Sequence, residues 1–239
     1  MPHRTLSIRE VAEYLHVSEE EVRELVRAGE IPHERLGGRV VFRVSQLDAW
    51  ASRRVLGLGG RALAQYHRDA TQSTAGDADA QCWLPRLIRP EYIEPSLDAR
   101  TRPSVLRAVT RLAARTGWVL DPHQLLQTLE ARERLAPTAL PGGVAILHPE
   151  HRFQWLFEDS FVLLARTPCG IPFGGPDGMT TDIFFLLACR SEREHLPLLA
   201  RLCLMCHRTD LLEQLRHLND REQMYDALLA AEREVVESS

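Results

Sequence analysis

Apolar positions in the first fifty residues recur twice at helical spacing and then switch to alternation. Ser7 precedes a stripe of Ile8, Val11, Ala12 and Leu15, with Glu10 placed to complete a capping box. Ser18 precedes a second stripe of Val22, Leu25 and Val26, with Glu21 at the same offset and Ala28-Gly29 as the stop. Two short helices joined by a tight turn make a helix-turn-helix. The alternating runs flanking Gly37-Gly38 predict a β-hairpin with a glycine turn, and Ser45 stands where it would cap a last short helix containing Leu47 and Trp50.

The pattern then lapses. Residues 55–82 carry GLGG and TQSTAGDADAQ, small and polar without periodicity, which reads as a mobile linker. From about Leu87 to Val235 the patterning resumes. Tyr92, Ile93 and Leu97 form a short extended piece. Arg102 to Thr116 is an amphipathic helix, and Asp121-Pro122 opens another with Leu125, Leu126 and Leu129 inside. Val144–Leu147 is a short apolar strand ending on His148. Phe161–Ala165 reads as a strand, Gly170–Phe173 as a short edge piece and Thr181–Cys189 as a buried strand. Helices follow over Glu192–Cys206, Asp210–Leu218 and Asp220–Glu234. Helices alternating with strands give the α/β class, and the chain divides into 1–54, a linker over 55–86, and 87–235.

Composition narrows the uses of these parts. The 239 residues are 44% hydrophobic, enough for one large or two small domains, and the formal net charge of −4 excludes a protein that coats polyanions by bulk positive charge. Residues 1–54 hold nine arginines and nine acids, so the remainder carries the whole −4. All 29 cationic side chains are arginine, which removes lysine Schiff bases, P-loop lysines and lysine general bases from the available chemistry. No apolar run is long enough to span a membrane and no signal-peptide core opens the chain; the five cysteines are odd in number and mostly lie in apolar runs. A cytoplasmic protein with free thiols and no membrane insertion is expected.

The string LSIREVAEYLHVSEEEVRELVRAGEIPHERLGGRVVFRVSQLDAW resembles the excisionase/MerR-type winged helix-turn-helix, through S-x-x-E-x-A-x-x-L-x-V-S, G-E-I-P, a G-G-R wing and a terminal L-D-A-W. The resemblance implies DNA binding through residues 1–54, with the second helix in the major groove and the wing along the phosphates. Arg23 and Arg27 on that helix and Arg35, Arg39 and Arg43 on the wing would make the contacts. Glu19, Glu20 and Glu21 crowd the helix start, where they favour the helix dipole and would face phosphates.

Chemistry concentrates in LEARERLAPTALPGGVAILH, where a strand-terminal imidazole, an arginine and a hydroxyl lie in one connected stretch suited to a phosphoryl group. Residues from about 88 to 235 resemble the IIA domain of the fructose/mannitol and nitrogen-regulatory branch of the bacterial phosphotransferase system. That family carries R-E-x-x-x-x-T and G-[IV]-A-[IV]-P-H, which stand here as Arg132 to Thr138 and Gly143 to His148. The resemblance implies a mixed sheet with helices on both faces, His148 as phosphoacceptor, Arg132 and Thr138 as its supports and His195 as the second histidine. Leu147 stands where the family has proline, and Pro149 where glycine commonly follows; Pro149 brings no N–H to a phosphate oxygen.

Two further patterns carry no assignment. Cys203-Leu204-Met205-Cys206-His207 spells the haem attachment sequence, but on a helix whose Cys206 faces inward; His148-Pro149-Glu150-His151 has its ligand spacing spoiled by proline. No cofactor or metal is expected. The leading expectation is a regulator in which His148 takes a phosphoryl group from an HPr-type phosphocarrier protein and thereby biases the attached winged helix. Two others stand beside it: a IIA phosphotransferase subunit of a sugar uptake system passing phosphate from His148 to a IIB partner, and a IIA-fold sensor that is not phosphorylated. Self-association is compatible with each.

Overall fold

Ser7 and Ser18 begin the two N-terminal helices as their positions predict, in a computed structural model that describes residues 5–71, 82–149 and 155–238. Helix α1 (Ile8–Leu15) has the full capping box: Ser7 Oγ accepts from the Glu10 N–H and the Glu10 carboxylate accepts from the Ser7 N–H. In α2 (Glu19–Ala28) Ser18 caps in the same way, while the Glu21 carboxylate pairs with Arg54 at 3.4 Å. Strands β2 (Glu34–Leu36) and β3 (Arg39–Arg43) pair antiparallel across Gly37-Gly38. Those glycines have φ of 56° and 80°, the two positive values that a tight hairpin turn requires. A two-residue strand β1 (Thr5–Leu6), too short to leave a periodicity, adds to the other side of β3.

The expected last short helix is longer than its pattern suggested. Helix α3 runs Val44–Gly57, and its N-cap is Arg43 with no side-chain bond, so Ser45 lies inside the first turn rather than capping it. Leu47, Ala51 and Val55, one turn apart, bury one side, and the Tyr14 hydroxyl donates to the Asp48 carboxylate to tie α3 to α1.

The first part of the expected linker is corrected more sharply. Residues 60–71 form helix α4 (Gly60–Thr71), which buries Leu63, Ala64, His67 and Ala70. The helical spacing of 63, 64, 67 and 70 was present in the sequence, but flanking glycines and an inward histidine diluted it. Residues 72–81 of that linker lie outside the described residues.

The C-terminal part is a five-stranded mixed sheet of order β4-β7-β8-β6-β5, with helices on both faces. Its strands are β4 (Ile93–Glu94), β5 (Ala139–Leu140), β6 (Val144–Leu147), β7 (Phe161–Ile171) and β8 (Thr181–Ala188). β6 and β8 run parallel, whereas β7 runs antiparallel to β8. Gly170-Ile171 is therefore not a separate edge piece: it is the end of β7, past a register shift between Arg166 and Ile171, and Ile171 pairs with Thr181 of β8. The helices are α5 (Leu84–Leu87), α6 (Arg102–Ala114), α7 (Pro122–Leu135), α8 (Glu192–Arg208), α9 (Leu211–His217) and α10 (Arg221–Glu237).

Helices α3 and α4 pack against α8, so the apolar interior runs unbroken from the N-terminal module into the sheet. The seam also holds a buried polar network. Arg201 of α8 donates Nε–H to His67 Nε2 of α4 at 2.7 Å, pairs with the Glu232 carboxylate of α10 at 3.1 Å, and stacks over Trp83 at 4.7 Å. Glu232 also accepts from the Trp83 and Leu84 N–H groups at 2.8 and 3.0 Å. Burial, with the Arg201 and Arg68 charges behind it, pushes the His67 imidazole down to about 3.

Candidate functional site

Strand β6 delivers His148 to the rim of the sheet. Gly143 starts the strand at φ 79°, in a place where a Cβ would lie 2.8 Å from Arg216 Nη2 and 3.0 Å from the Thr180 carbonyl oxygen. Its own carbonyl accepts from the Asp182 and Ile183 N–H groups at 3.0 and 3.2 Å, which seats β6 on β8 with Leu147 opposite Leu186.

His148 follows at once, 2% exposed, with both ring nitrogens engaged. Its Nε2 lies 2.9 Å from Arg132 Nε and its Nδ1 lies 2.9 Å from the Ile146 carbonyl oxygen. A guanidinium only donates, so Nε2 must be the acceptor and the ring proton sits on Nδ1, where it is donated to Ile146. Burial first, and then the Arg132 charge, push the imidazole down to about 3. The ring is thus neutral at ordinary pH, with its lone pair at Nε2, the form in which an imidazole is a nucleophile.

Arg132 comes from the last turn of α7 and is 1% exposed. Besides His148 it donates Nη1–H to the Ala136 carbonyl at 2.8 Å, which satisfies an acceptor just past the end of its own helix. Thr138 is also buried, and its carbonyl accepts from the Ile146 N–H at 3.2 Å. Its hydroxyl, however, donates to the Glu133 carboxylate at 2.7 Å, so it braces the loop after α7. Burial pushes the Glu133 carboxyl up, against the Thr138 hydrogen bonds and the Arg102 and Arg132 charges. Glu133 was not singled out in the sequence, although its place beside Arg132 in the R-E pair was the available signal.

His195 projects from α8 and packs edge-on to His148, with ring centroids 5.2 Å apart at 61°. The Oγ of Ser52, from α3 of the N-terminal module, lies 3.4 Å from His195 Nε2. Ser52 and His195 are 2% and 1% exposed. No local pattern marks Ser52, because its role arises only from the way α3 docks on α8. Of the four residues expected here, His148, Arg132 and His195 come together and Thr138 stands one strand away.

The five arginines expected to meet DNA fall into two groups. Arg23 pairs with Glu19 at 2.5 Å, Arg27 with Glu20 at 2.7 Å and Arg43 with Glu34 at 2.6 Å. Arg35 and Arg39 are exposed on the hairpin and make no ion pair among the described residues. Elsewhere, Cys203 and Cys206 are buried in α8, burial pushes the Cys206 thiol up to about 12, and His207 is exposed. Glu150 and His151 lie outside the described residues. Among the described residues no helix is long and apolar enough to cross a membrane.

A mixed five-stranded sheet with a buried imidazole at the end of a central strand, joined to a helix-turn-helix, defines a IIA-type domain fused to a winged module. Residues 86–231 match the model of the phosphoenolpyruvate-dependent sugar phosphotransferase system EIIA 2 family, and the chain belongs to that family. Residues 5–55 match a helix-turn-helix domain. The chain is 28% identical over 123 residues to a phosphotransferase-system fructose-like EIIA component of Escherichia coli (strain K12), covering 51% of this chain and 80% of that one. It is 28% identical over 149 residues to a nitrogen regulatory protein of Pseudomonas aeruginosa, covering 61% and 94%. Its fold is similar to that of the nitrogen regulatory protein IIA-Ntr from Neisseria meningitidis, with TM-score 0.54 and 24% identity over 59% of this chain and 94% of that one. It is similar too to the complex of mannitol enzyme IIA with phosphorylated mannitol enzyme IIB from Escherichia coli, with TM-score 0.53 and 22% identity over 60% and 96%.

Proposed function

We propose that His148 accepts a phosphoryl group from an HPr-type phosphocarrier protein and that the chain uses this to regulate DNA bound through its winged helix. The observation that carries the reading is the Arg132 Nε–H donated to His148 Nε2 while the Nδ1–H is held by Ile146. The Nε2 lone pair forms the new N–P bond, the P–N bond of the donor breaks, and its electron pair returns to the donor ring. The proton stays on Nδ1, donated throughout to the Ile146 carbonyl oxygen. Arg132 then turns its N–H from nitrogen to a phosphoryl oxygen, so one guanidinium orients the nucleophile before transfer and neutralises charge after it. His195 can add a ring nitrogen from the opposite side. Membership of the EIIA 2 family supports this reading.

Incubation with phosphoenolpyruvate, enzyme I and HPr tests it. The native protein should take up an acid-labile phosphoryl group and His148→Ala none; no uptake by the native protein defeats the reading. A second reading, onward transfer to a IIB domain, is favoured by the phosphorylated IIB partner in the mannitol complex. It predicts loss of label when such a domain is added. For DNA, the exposed Arg35 and Arg39 are the better candidates, since the other three arginines already face carboxylates. Replacing both by alanine should weaken retention on random duplex and lower its salt dependence by about one counterion per arginine. Unchanged retention removes the wing from the interface.

A further inference from the structure

The phosphoacceptor is closed in two ways at once. Its Nε2 lone pair is bonded to Arg132, and the side chain is 2% exposed. A donor histidine on another protein must approach Nε2 in line, with room for a phosphoryl group between the rings, and a side chain 2% exposed does not offer that room. The N-terminal module supplies part of the cover: α3 lies along α8 and places Ser52 against His195, whose ring touches that of His148. Helix α4 fastens the same face through His67 on Arg201 and through the Gly60 carbonyl, which accepts from Arg208 at 3.2 Å.

We propose that the winged-helix module is an intramolecular cover for the phosphoryl site, seated by Ser52 and latched by His67, so that docking of α3–α4 on α8 and phosphorylation of His148 exclude one another. The inference deepens the proposed function and rests on it. An open form exposes the site to the phosphocarrier, and a phosphoryl group on His148, with its added negative charge and volume, holds the module off. By linkage, any ligand that binds only the undocked module favours phosphorylation of His148 at equilibrium by the same factor by which phosphorylation favours that ligand's binding.

The buried contact suggests its own disruption: Ser52→Arg puts a long cation where 2% of the serine is exposed, and His67→Ala removes the latch on a different helix. Because the rate follows the fraction of open molecules, each full-length variant should take up phosphoryl from HPr at least about tenfold faster than native protein. Acylation by diethyl pyrocarbonate, read at each histidine by mass spectrometry, gives a second measure that needs no phosphotransfer. In native protein His148 should react far more slowly than the exposed His123, and in both variants its rate should rise by a similar factor. Protection of His148 that is unchanged in both variants overturns the proposal, and so does a Ser52→Arg protein that takes up less phosphoryl than native. If His148 becomes reactive but no form takes up phosphoryl, the cover stands and the phosphoacceptor reading falls.

Discussion

Two buried arginine–histidine pairs, one inside the IIA-type domain and one across the seam, have nearly the same chemistry. In each, an Arg Nε–H is donated to a histidine Nε2, at 2.9 Å for Arg132–His148 and 2.7 Å for Arg201–His67. In each, burial pushes the imidazole down to about 3. The difference is at the other nitrogen. His148 donates Nδ1–H to the Ile146 carbonyl, so its ring is held at both ends. His67 carries its proton on a buried Nδ1 that has no hydrogen-bond partner among the described residues. A buried unsatisfied donor costs roughly 1–3 kcal/mol. The His148 ring is oriented at both nitrogens, whereas the ring that joins α4 to α8 sits in a contact with a built-in penalty.

The largest expected effect separates the pairs outright. His148→Ala should abolish phosphoryl uptake, Arg132→Ala should lower its rate by about 10²–10³-fold, and His67→Ala should raise it. Uptake that falls alike in His67→Ala and Arg132→Ala would make both pairs parts of one site. Next comes the counterion. Arg201 and Glu232 are a buried ion pair, so Glu232→Gln should cost about 3–5 kcal/mol in denaturant unfolding, because it strands a buried charge. A loss below about 1 kcal/mol would mean that the network is solvated and the seam looser than its geometry.

Sequence pattern reached one of these pairs and not the other. The strand-terminal histidine lay in a fixed spacing with Arg132, and that spacing is local: a helix end, one loop and one strand. Thr138 lay in the same string, yet its hydroxyl went to Glu133, because a motif fixes position along the chain and not the direction of a proton. His67, Arg201 and Glu232 are far apart in sequence, on three helices, and nothing periodic links them. The apolar stripe of α4 was short and bounded by glycines, so it read as linker, and with it went the seam. Ser52 was invisible for the same reason. The fold of each module was legible because hydrophobic spacing reports which face of an element is buried; it does not report against what.

The pH dependence of stability sharpens the comparison at intermediate size. Burial pushes both imidazoles down to about 3 in the folded protein, from the ordinary value of about 6.5 that the unfolded chain keeps. The unfolded chain therefore binds more protons in that window, and stability that is full above pH 6.5 is lost as pH falls. Each histidine should cost about 1 kcal/mol between pH 6.5 and 5.5. Glu133 and Glu232, whose carboxyls burial pushes up, act in the opposite sense at lower pH, so the clean measurement is a difference between two proteins. His67→Gln keeps an acceptor for Arg201 and removes one titrating group. Its acid loss should be smaller than native by about 1 kcal/mol over that interval; equal slopes would place His67 in contact with solvent.

The smallest effect is the most diagnostic of how the cover works. At 3.4 Å the Ser52–His195 contact is at the limit of a hydrogen bond, and a net bond of that kind is worth about 1 kcal/mol or less. Ser52→Ala removes the hydroxyl and keeps the seat of α3, because alanine is smaller and helix-favouring. If the cover is steric, phosphoryl uptake and His148 acylation in Ser52→Ala should stay within about threefold of native, in contrast to Ser52→Arg. A tenfold or larger rise in Ser52→Ala would instead locate the closing energy in the hydroxyl itself, making His195 a sensor of the module and not simply a wall that the module leans on.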